Sequence, residues 1–342
     1  MSIRHAIARV TARQDLTEAE MTAAVEDILG GAADPAAVAG LLTALHTKGE
    51  TVEELVSAAR VLRSHAIKVD GAPTGAIDTC GTGGDGHGTL NVSTAAGLVA
   101  AACGVPVAKH GNRAISGRVG GADVLEALGV RLELTPAQLG ECLRATGFAF
   151  LFAPSLHPAI RHAAPARRAL GVRTMFNLLG PLANPAGIRR QVVGVFDRHW
   201  VEPMAKALLA LGAERAWVLH GAGGFDELAL KGESHVAEVA DGQVRTFTVS
   251  AAAAGLAPAE LDTLRVESVA DAAACLRRVL GGDPGPARDV VCLNAAAALV
   301  VAEKAPDLRA GVALAARALD DGAAAGVLDR VVRFTTDAGA DR

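Results

Sequence analysis

Over the first seventy residues, apolar positions recur at helical spacing. Val25, Ile28 and Leu29 form one stripe, and Leu55, Ala58, Val61 and Leu62 form another. Polar start signals precede the stripes. Thr17 with Glu20 and Thr51 with Glu54 have the spacing of capping boxes, and Asp34 followed by Pro35 pairs an N-cap with a first-turn proline. These signals predict a small amphipathic helical bundle in which nothing suggests catalysis.

From about Ala76 the rhythm changes to short β-rich runs, each followed by a glycine-containing turn and an Ala/Leu-rich helix. That alternation predicts a parallel sheet. Strands are expected at residues 75–78, 105–108, 147–152, 191–196, 216–220 and 290–293, with helices opening at Thr135-Pro136-Ala137-Gln138 and over 308–319. The fold class is α/β, with a small helical domain (1–72) and a larger domain with a central, mainly parallel sheet (73–342). No internal repeat or low-complexity linker separates them, so close packing about a hinge is expected.

A chain of 342 residues suits one large domain and one small one. With 51% apolar and 20% charged residues it has the composition of a packed globule. Tyrosine is absent and aromatics are scarce, so helices are expected to pack through close Ala and Gly contacts. The net charge of −4, without a long Lys/Arg block, argues against a protein that tracks a nucleic-acid backbone. Cys80, Cys103, Cys142, Cys275 and Cys292 lack CxxC spacing and sit in apolar surroundings, which suits reduced core residues. No signal-peptide core and no uninterrupted apolar run of membrane-spanning length is evident. A cytoplasmic location, away from membranes, is expected.

Four segments carry chemistry. Asp78-Thr-Cys-Gly-Thr-Gly-Gly-Asp-Gly86 follows an expected strand and precedes Asn91-Val-Ser-Thr94 and a helix-forming run. Glycines there admit positive φ and close phosphate approach, and a helix N-terminus adds donors. The run matches neither the P-loop nor the dinucleotide fingerprint, and a tight turn capped by Ser93 or Thr94 explains it nearly as well. Lys109-His-Gly-Asn-Arg-Ala-Ile-Ser-Gly-Arg-Val-Gly-Gly-Ala-Asp123 combines glycines with Lys109, Arg113 and Arg118. Those three can neutralise phosphate, and Asn112 can orient a ligand. A third run, from His157 through Arg167 and Arg168 to Pro185, offers a guanidinium for a substrate carboxylate. Finally, Gly223-Gly-Phe-Asp-Glu227 places adjacent carboxylates on a turn, which suits magnesium sharing its shell with phosphates.

In this order and spacing, GTGGDG, NVST, KHGNRAIS, RTMFNLLGPLANP and GFDE resemble the anthranilate phosphoribosyltransferase family of tryptophan biosynthesis, over about residues 5–335. The resemblance implies a homodimer of the nucleoside phosphorylase/phosphoribosyltransferase type. Helices from about 160–185 would join the helical domain, and the active site would lie between the domains. The substrates implied are 5-phosphoribosyl 1-diphosphate and anthranilate, and the cofactor Mg2+, two ions per site. Gly81, Gly84, Asp85, Thr89, Asn91, Val92, Ser93 and Thr94 correspond to the diphosphate loop. Lys109, His110, Gly111, Asn112, Arg113, Ala114, Ile115, Ser116, Gly117 and Gly121 correspond to a second phosphate loop. Gly81, Asn112 and Arg167 match anthranilate contacts, with His110, His157 and Pro181 lining that channel. Ser93, Asp226 and Glu227 match metal positions, and no general acid or base is implied.

The chain departs from the family where Ser-Lys-Ser-Gly-Ser is common and Gly117-Arg-Val-Gly-Gly121 stands here. Loss of three hydroxyls predicts weaker sugar-diphosphate affinity without loss of activity. Two other readings compete. A pyrimidine nucleoside phosphorylase would need one phosphate and no Asp-Glu metal pair, and a non-catalytic nucleic-acid-binding paralogue would need a basic surface.

Overall fold

The computed structural model describes residues 2–114 and 119–340. The chain opens with helices α1 (Ile3–Thr11), α2 (Glu18–Leu29), α3 (Pro35–Lys48) and α4 (Val52–Ser64). Thr17 and Thr51 accept from the N–H groups of Glu20 and Glu54, whose carboxylates return to the threonine N–H groups, so both capping boxes form. Asp34 accepts from the Ala36 N–H at 2.8 Å. Glu54 is wholly buried, yet it also accepts from the Leu16 N–H at 3.0 Å and from the Lys48 ammonium at 3.0 Å. One carboxylate thus ties α3, α4 and the loop before α2 together. Met21, Ile28, Leu42, Leu45, Leu55 and Leu62 are buried between the helices, and each such side chain contributes about 1.5–3 kcal/mol.

The rest of the chain builds a seven-stranded sheet ordered β3-β2-β1-β4-β5-β6-β7. Its strands are β1 (Ile77–Gly81), β2 (Val107–Gly111), β3 (Phe148–Phe152), β4 (Arg190–Gly194), β5 (Arg215–His220), β6 (Glu233–Ala240) and β7 (Gln243–Ser250). The first five run parallel and the last two pair antiparallel. Side-chain alternation loads both faces. Trp217 and Leu219 join a core with α5 (Val92–Ala102), α6 (Gly121–Ala127), and the C-terminal helices α12 (Val269–Leu280), α13 (Pro286–Val301), α14 (Leu308–Asp320) and α15 (Ala323–Ala340). Ala216 and Val218 join a second core with α1–α4, α9 (Ala164–Leu170), α10 (Phe176–Leu182) and α11 (Val201–Ala210). Two further helices, α7 (Pro136–Thr146) and the short α8 (Ala153–Leu156), flank β3.

Arg63 on α4 links the helical bundle to the sheet side. Its guanidinium donates to the carbonyls of Leu182 at 2.6 Å and Leu211 at 3.0 Å, at the ends of α10 and α11. Close small-residue packing is present as well: a Cβ on Gly311 of α14 would lie 2.7 Å from the Ala296 Cβ on α13. All five cysteines are free. Among the described residues no helix is long and apolar enough to cross a membrane.

The structure corrects the sequence reading at two places. Residues 290–293 are not a strand but lie inside α13, where Pro286 occupies the first turn and burial on every side erases the helical period. The β6–β7 hairpin has no counterpart among the expected strands. Its turn is Asp241-Gly242, with φ of 52° and 71°, the two-residue turn that joins twisted antiparallel strands.

Candidate active site

The C-terminal ends of β1, β2 and β5 point the same way, and the segments that leave them, with residues 265–267, line a cavity of about 690 Å³. Ligands of open parallel sheets bind at such strand ends. From β1 the chain turns through Gly83 and Gly84, with φ of 61° and 84°, where a β-carbon would be strained. The Thr82 N–H donates to the Gly194 carbonyl at 2.8 Å, and the Thr82 hydroxyl accepts from the Phe196 N–H at 3.0 Å. Arg173, stacked 4.3 Å from the Phe196 ring centroid, donates to the Gly84 carbonyl at 3.0 Å. Asp85 accepts from the His87 N–H, while its Oδ2 is buried without a partner among the described residues. Residues 264–266 staple the far end of the loop through Leu90 N–H to Leu264 O and Val266 N–H to Gly88 O, both 2.9 Å.

The loop delivers the chain into α5, whose first turn faces the cavity. Neither Ser93 nor Thr94 caps this helix, since it begins at Val92 behind Asn91. Instead the Ser93 N–H donates to the Glu227 carboxylate at 3.0 Å. Asn91 donates to the Val119 carbonyl, and its own Oδ1, buried in the cavity wall, has no partner among the described residues.

On β2, Lys109 is buried, and its ammonium donates to the Thr79 carbonyl among Asp78, Asp226 and Glu227. Burial pushes the ammonium below its usual range, and these acidic neighbours oppose that fall. Asp78 is locked by the His110 N–H at 3.0 Å and the Asn184 amide at 2.8 Å, which fastens the β1–β2 register to the segment after α10. Gly111 leaves room for Phe150, whose ring would lie 2.6 Å from a Cβ there. Arg113 does not face the cavity with its charge: its guanidinium binds Asp123 at 3.0 Å and Glu126 at 2.9 Å. Asp123 also accepts from the Gly120 N–H at 2.9 Å and the Ala114 N–H at 3.2 Å, folding the second loop onto the start of α6. Ile115, Ser116, Gly117 and Arg118 lie outside the described residues.

The turn after β5 places Asp226 and Glu227 against this wall. Burial is the first cause that raises both carboxyls, Glu227 to about 7, and proximity to Asp85 adds to it. Removing such groups from water is unfavourable for their charged forms unless a cation compensates. Asp85, with its orphaned oxygen, strengthens that demand. Yet among the described residues no three carboxylate, imidazole or thiol groups converge closely enough to hold a metal by themselves. The donor set therefore fits a hard dication that takes part of its oxygen shell from a bound phosphate ligand and water.

The structure brings Gly81, Gly84, Asp85, Thr89, Asn91, Val92, Ser93, Thr94, Lys109, His110, Gly111, Asn112, Arg113, Ala114, Gly121, Asp226 and Glu227 to one cavity wall. His157, Arg167 and Pro181 are not on that wall. His157 and Pro181 adjoin it through His110: the His110 and His157 rings are 5.0 Å apart, and His110 Nδ1 meets the Gly180 carbonyl at 3.0 Å. Burial lowers His110 to about 3 and His157 to about 4. The Nε2 atoms of both rings are buried and have no partner among the described residues. Arg167 stacks 5.6 Å from the Phe176 centroid, and burial lowers its guanidinium. Sequence reasoning did not single out Arg173, Asn177, Phe150, Arg265 or Asn294; only Arg173 and Asn177 lay within a quoted motif.

Models of the glycosyl transferase family match twice: the helical bundle domain over residues 4–66 and the a/b domain over 73–325. The chain is 50% identical to the anthranilate phosphoribosyltransferase of Rhodopseudomonas palustris (strain BisB5), covering 96% of this chain and 97% of the relative. It is 51% identical to that of Beijerinckia indica subsp. indica, covering 96% of each. It belongs to the anthranilate phosphoribosyltransferase family. Among solved structures, the anthranilate phosphoribosyltransferase of Thermus thermophilus aligns with a TM-score of 0.91 at 46% identity, covering 97% of this chain and 99% of that one. The Saccharomyces cerevisiae anthranilate phosphoribosyltransferase, in complex with PRPP and Mg, aligns with a TM-score of 0.89 at 25% identity over 98% of each chain. The α/β class with its helical domain, and the activity expected from the motifs, are borne out: the chain is an anthranilate phosphoribosyltransferase-type pentosyl glycosyltransferase.

Proposed function

We propose that the cavity binds 5-phosphoribosyl 1-diphosphate with Mg2+, two ions per site, and that anthranilate enters past His110, His157, Pro181 and Arg167. The observation that carries this reading is the convergence of a glycine turn, the first turn of α5 and the Asp226–Glu227 pair on one cavity, with a buried histidine pair behind it. The phosphoribosyl group passes to the anthranilate amine with inversion, yielding N-(5-phosphoribosyl)anthranilate and pyrophosphate.

Magnesium held by Asp226 and Glu227, with Ser93, would offset the charge that develops on the departing pyrophosphate. The chain's own groups do the positioning. Gly81, Gly83 and Gly84 bring backbone close to the diphosphate, Thr89 and Asn91 border it, and the first turn of α5 aims its dipole there. Lys109 keeps the buried carboxylates tolerable in the same wall. An aromatic amine is neutral at pH 7 and needs no strong base. His110 and His157, held neutral by burial, therefore serve as hydrogen-bonding groups for the acceptor, and Arg167 takes its carboxylate in a charge-assisted pair. Proximity and charge stabilisation provide the catalysis.

The working form is a cytoplasmic homodimer, with residues 1–72 as the helical domain and 73–342 as the catalytic one. The test is the fluorescence of anthranilate on mixing the protein with Mg2+ and 5-phosphoribosyl 1-diphosphate. Loss that requires all components supports the reading, and stable fluorescence overturns it.

A further inference from the structure

The Asp226–Glu227 pair sits on a turn, and turns do not hold carboxylates rigidly by themselves. Its near side is fixed by the Gly221 N–H, which donates to the Phe225 carbonyl at 2.7 Å. Its far side is fixed by a residue 66 positions away, Asn294, in the middle of α13. The Asn294 side chain is buried, and both ends of its amide are used on one partner. Oδ1 accepts from the Leu228 N–H at 2.9 Å, and Nδ2 donates to the Leu228 carbonyl at 3.1 Å. Nδ2 also donates to the Val290 carbonyl one helical turn back, at 2.9 Å, which fixes the rotamer. The following Ala229 N–H donates to the Ser234 hydroxyl at 3.0 Å.

An asparagine in a buried, alanine-rich helix is unfavourable unless its amide is fully engaged. Here it replaces a strand partner for the backbone of Leu228, the residue directly after Glu227. We infer that Asn294 is a positioning residue for the metal-binding carboxylates: its amide clamps Leu228 and thereby sets where Glu227 meets the first turn of α5. The inference rests on the reading of Asp226 and Glu227 as magnesium ligands. It extends that site to α13, a helix none of whose residues lines the cavity.

The test compares full-length wild type, Asn294→Ala, Asn294→Asp and Glu227→Gln. Free Mn2+ is followed by its electron paramagnetic resonance signal in the presence of 5-phosphoribosyl 1-diphosphate, alongside circular dichroism melting and steady-state kinetics. Loss of a group that orients a metal ligand typically weakens metal binding tenfold or more. Asn294→Ala is therefore expected to raise the half-saturating Mn2+ by about tenfold and leave the anthranilate KM unchanged. Asn294→Asp keeps acceptance from the Leu228 N–H and is expected to fall between it and wild type. Unchanged Mn2+ binding in folded Asn294→Ala, with binding lost in Glu227→Gln, overturns the positioning role alone. Unchanged binding in Glu227→Gln overturns the metal-site reading beneath it. Should Asn294→Ala not fold, Asn294→Asp decides on the same measurement.

Discussion

Substituting Gly194 by alanine isolates the placement of the carboxylate turn from its chemistry. Gly194 ends β4 beside Gly81, and the Asp226 carbonyl oxygen occupies the place of its missing side chain: a Cβ there would lie 1.7 Å from that oxygen and 2.8 Å from the Asp226 carbonyl carbon. The φ of Gly194 is not positive, so alanine brings no backbone strain and only steric displacement remains. To reach even the 3.0 Å limit of real contacts, the Asp226 backbone must retreat by more than an ångström. A misplacement of about 1 Å at a reacting constellation costs on the order of 100-fold in rate. The carboxylate itself is untouched. Gly194→Ala is therefore expected to lower kcat/KM for 5-phosphoribosyl 1-diphosphate about 100-fold and to raise the Mg2+ needed for half activation, while far-UV circular dichroism stays native. A variant with wild-type kcat/KM and an unaltered Mg2+ titration would refute the claim that the close approach of this turn to β4 sets the metal site.

Arg167→Ala is expected to raise the anthranilate KM while leaving that for the diphosphate near wild type; unchanged anthranilate saturation would remove Arg167 from the acceptor site. Val119→Ser with Gly121→Ser is expected to lower the KM for the diphosphate by restoring hydroxyl donors, although the Thr94 hydroxyl, 3.0 Å from a Cβ on Gly121, must yield slightly. An unchanged KM would show that backbone groups already suffice. His110 and His157, near 3 and 4 when folded against 6.5 for an ordinary histidine, make the unfolded chain the stronger proton binder below pH 6.5. Their contribution is complete above that value and is lost as pH falls toward 4 for His157 and toward 3 for His110, by at most about 1.4 kcal/mol per pH unit for each. Urea midpoints at pH 7.5, 6.0 and 5.0 should fall accordingly, with a shallower fall in His157→Gln; an equal fall would assign the effect to other groups.

The parts of this molecule written in short-range chemistry were legible. Thr17, Asp34, Thr51 and Thr135 each bond within three residues, so their helix starts follow from spacing. The strand pattern failed where burial was uniform, because the run through Val290 and Leu293 carries no polar face to report its period. The β6–β7 hairpin is marked in the sequence only by Asp241-Gly242, a two-residue turn signal with no strongly alternating strands on either side. At the site, the glycine turn and the Asp226–Glu227 pair were visible as motifs. What could not be read was direction. Arg113, whose charge suits a phosphate, pairs with Asp123 and Glu126, and Lys109 sits inside a carboxylate cluster. Asn294 and Gly194 act through space on a turn distant in the chain, so no local pattern marked them.

The central claim is that one cavity wall, made by the β1 glycine turn, the first turn of α5 and the Asp226–Glu227 turn, holds the diphosphate and its magnesium. A crystal structure of this chain with Mg2+ and 5-phosphoribosyl 1-diphosphate tests it most directly. The account predicts the diphosphate against Gly81–Asp85 and the start of α5, with a Mg2+ ion touching both it and Glu227 or Asp226. Density for the diphosphate elsewhere, or for the metal with no contact to either carboxylate, would contradict it.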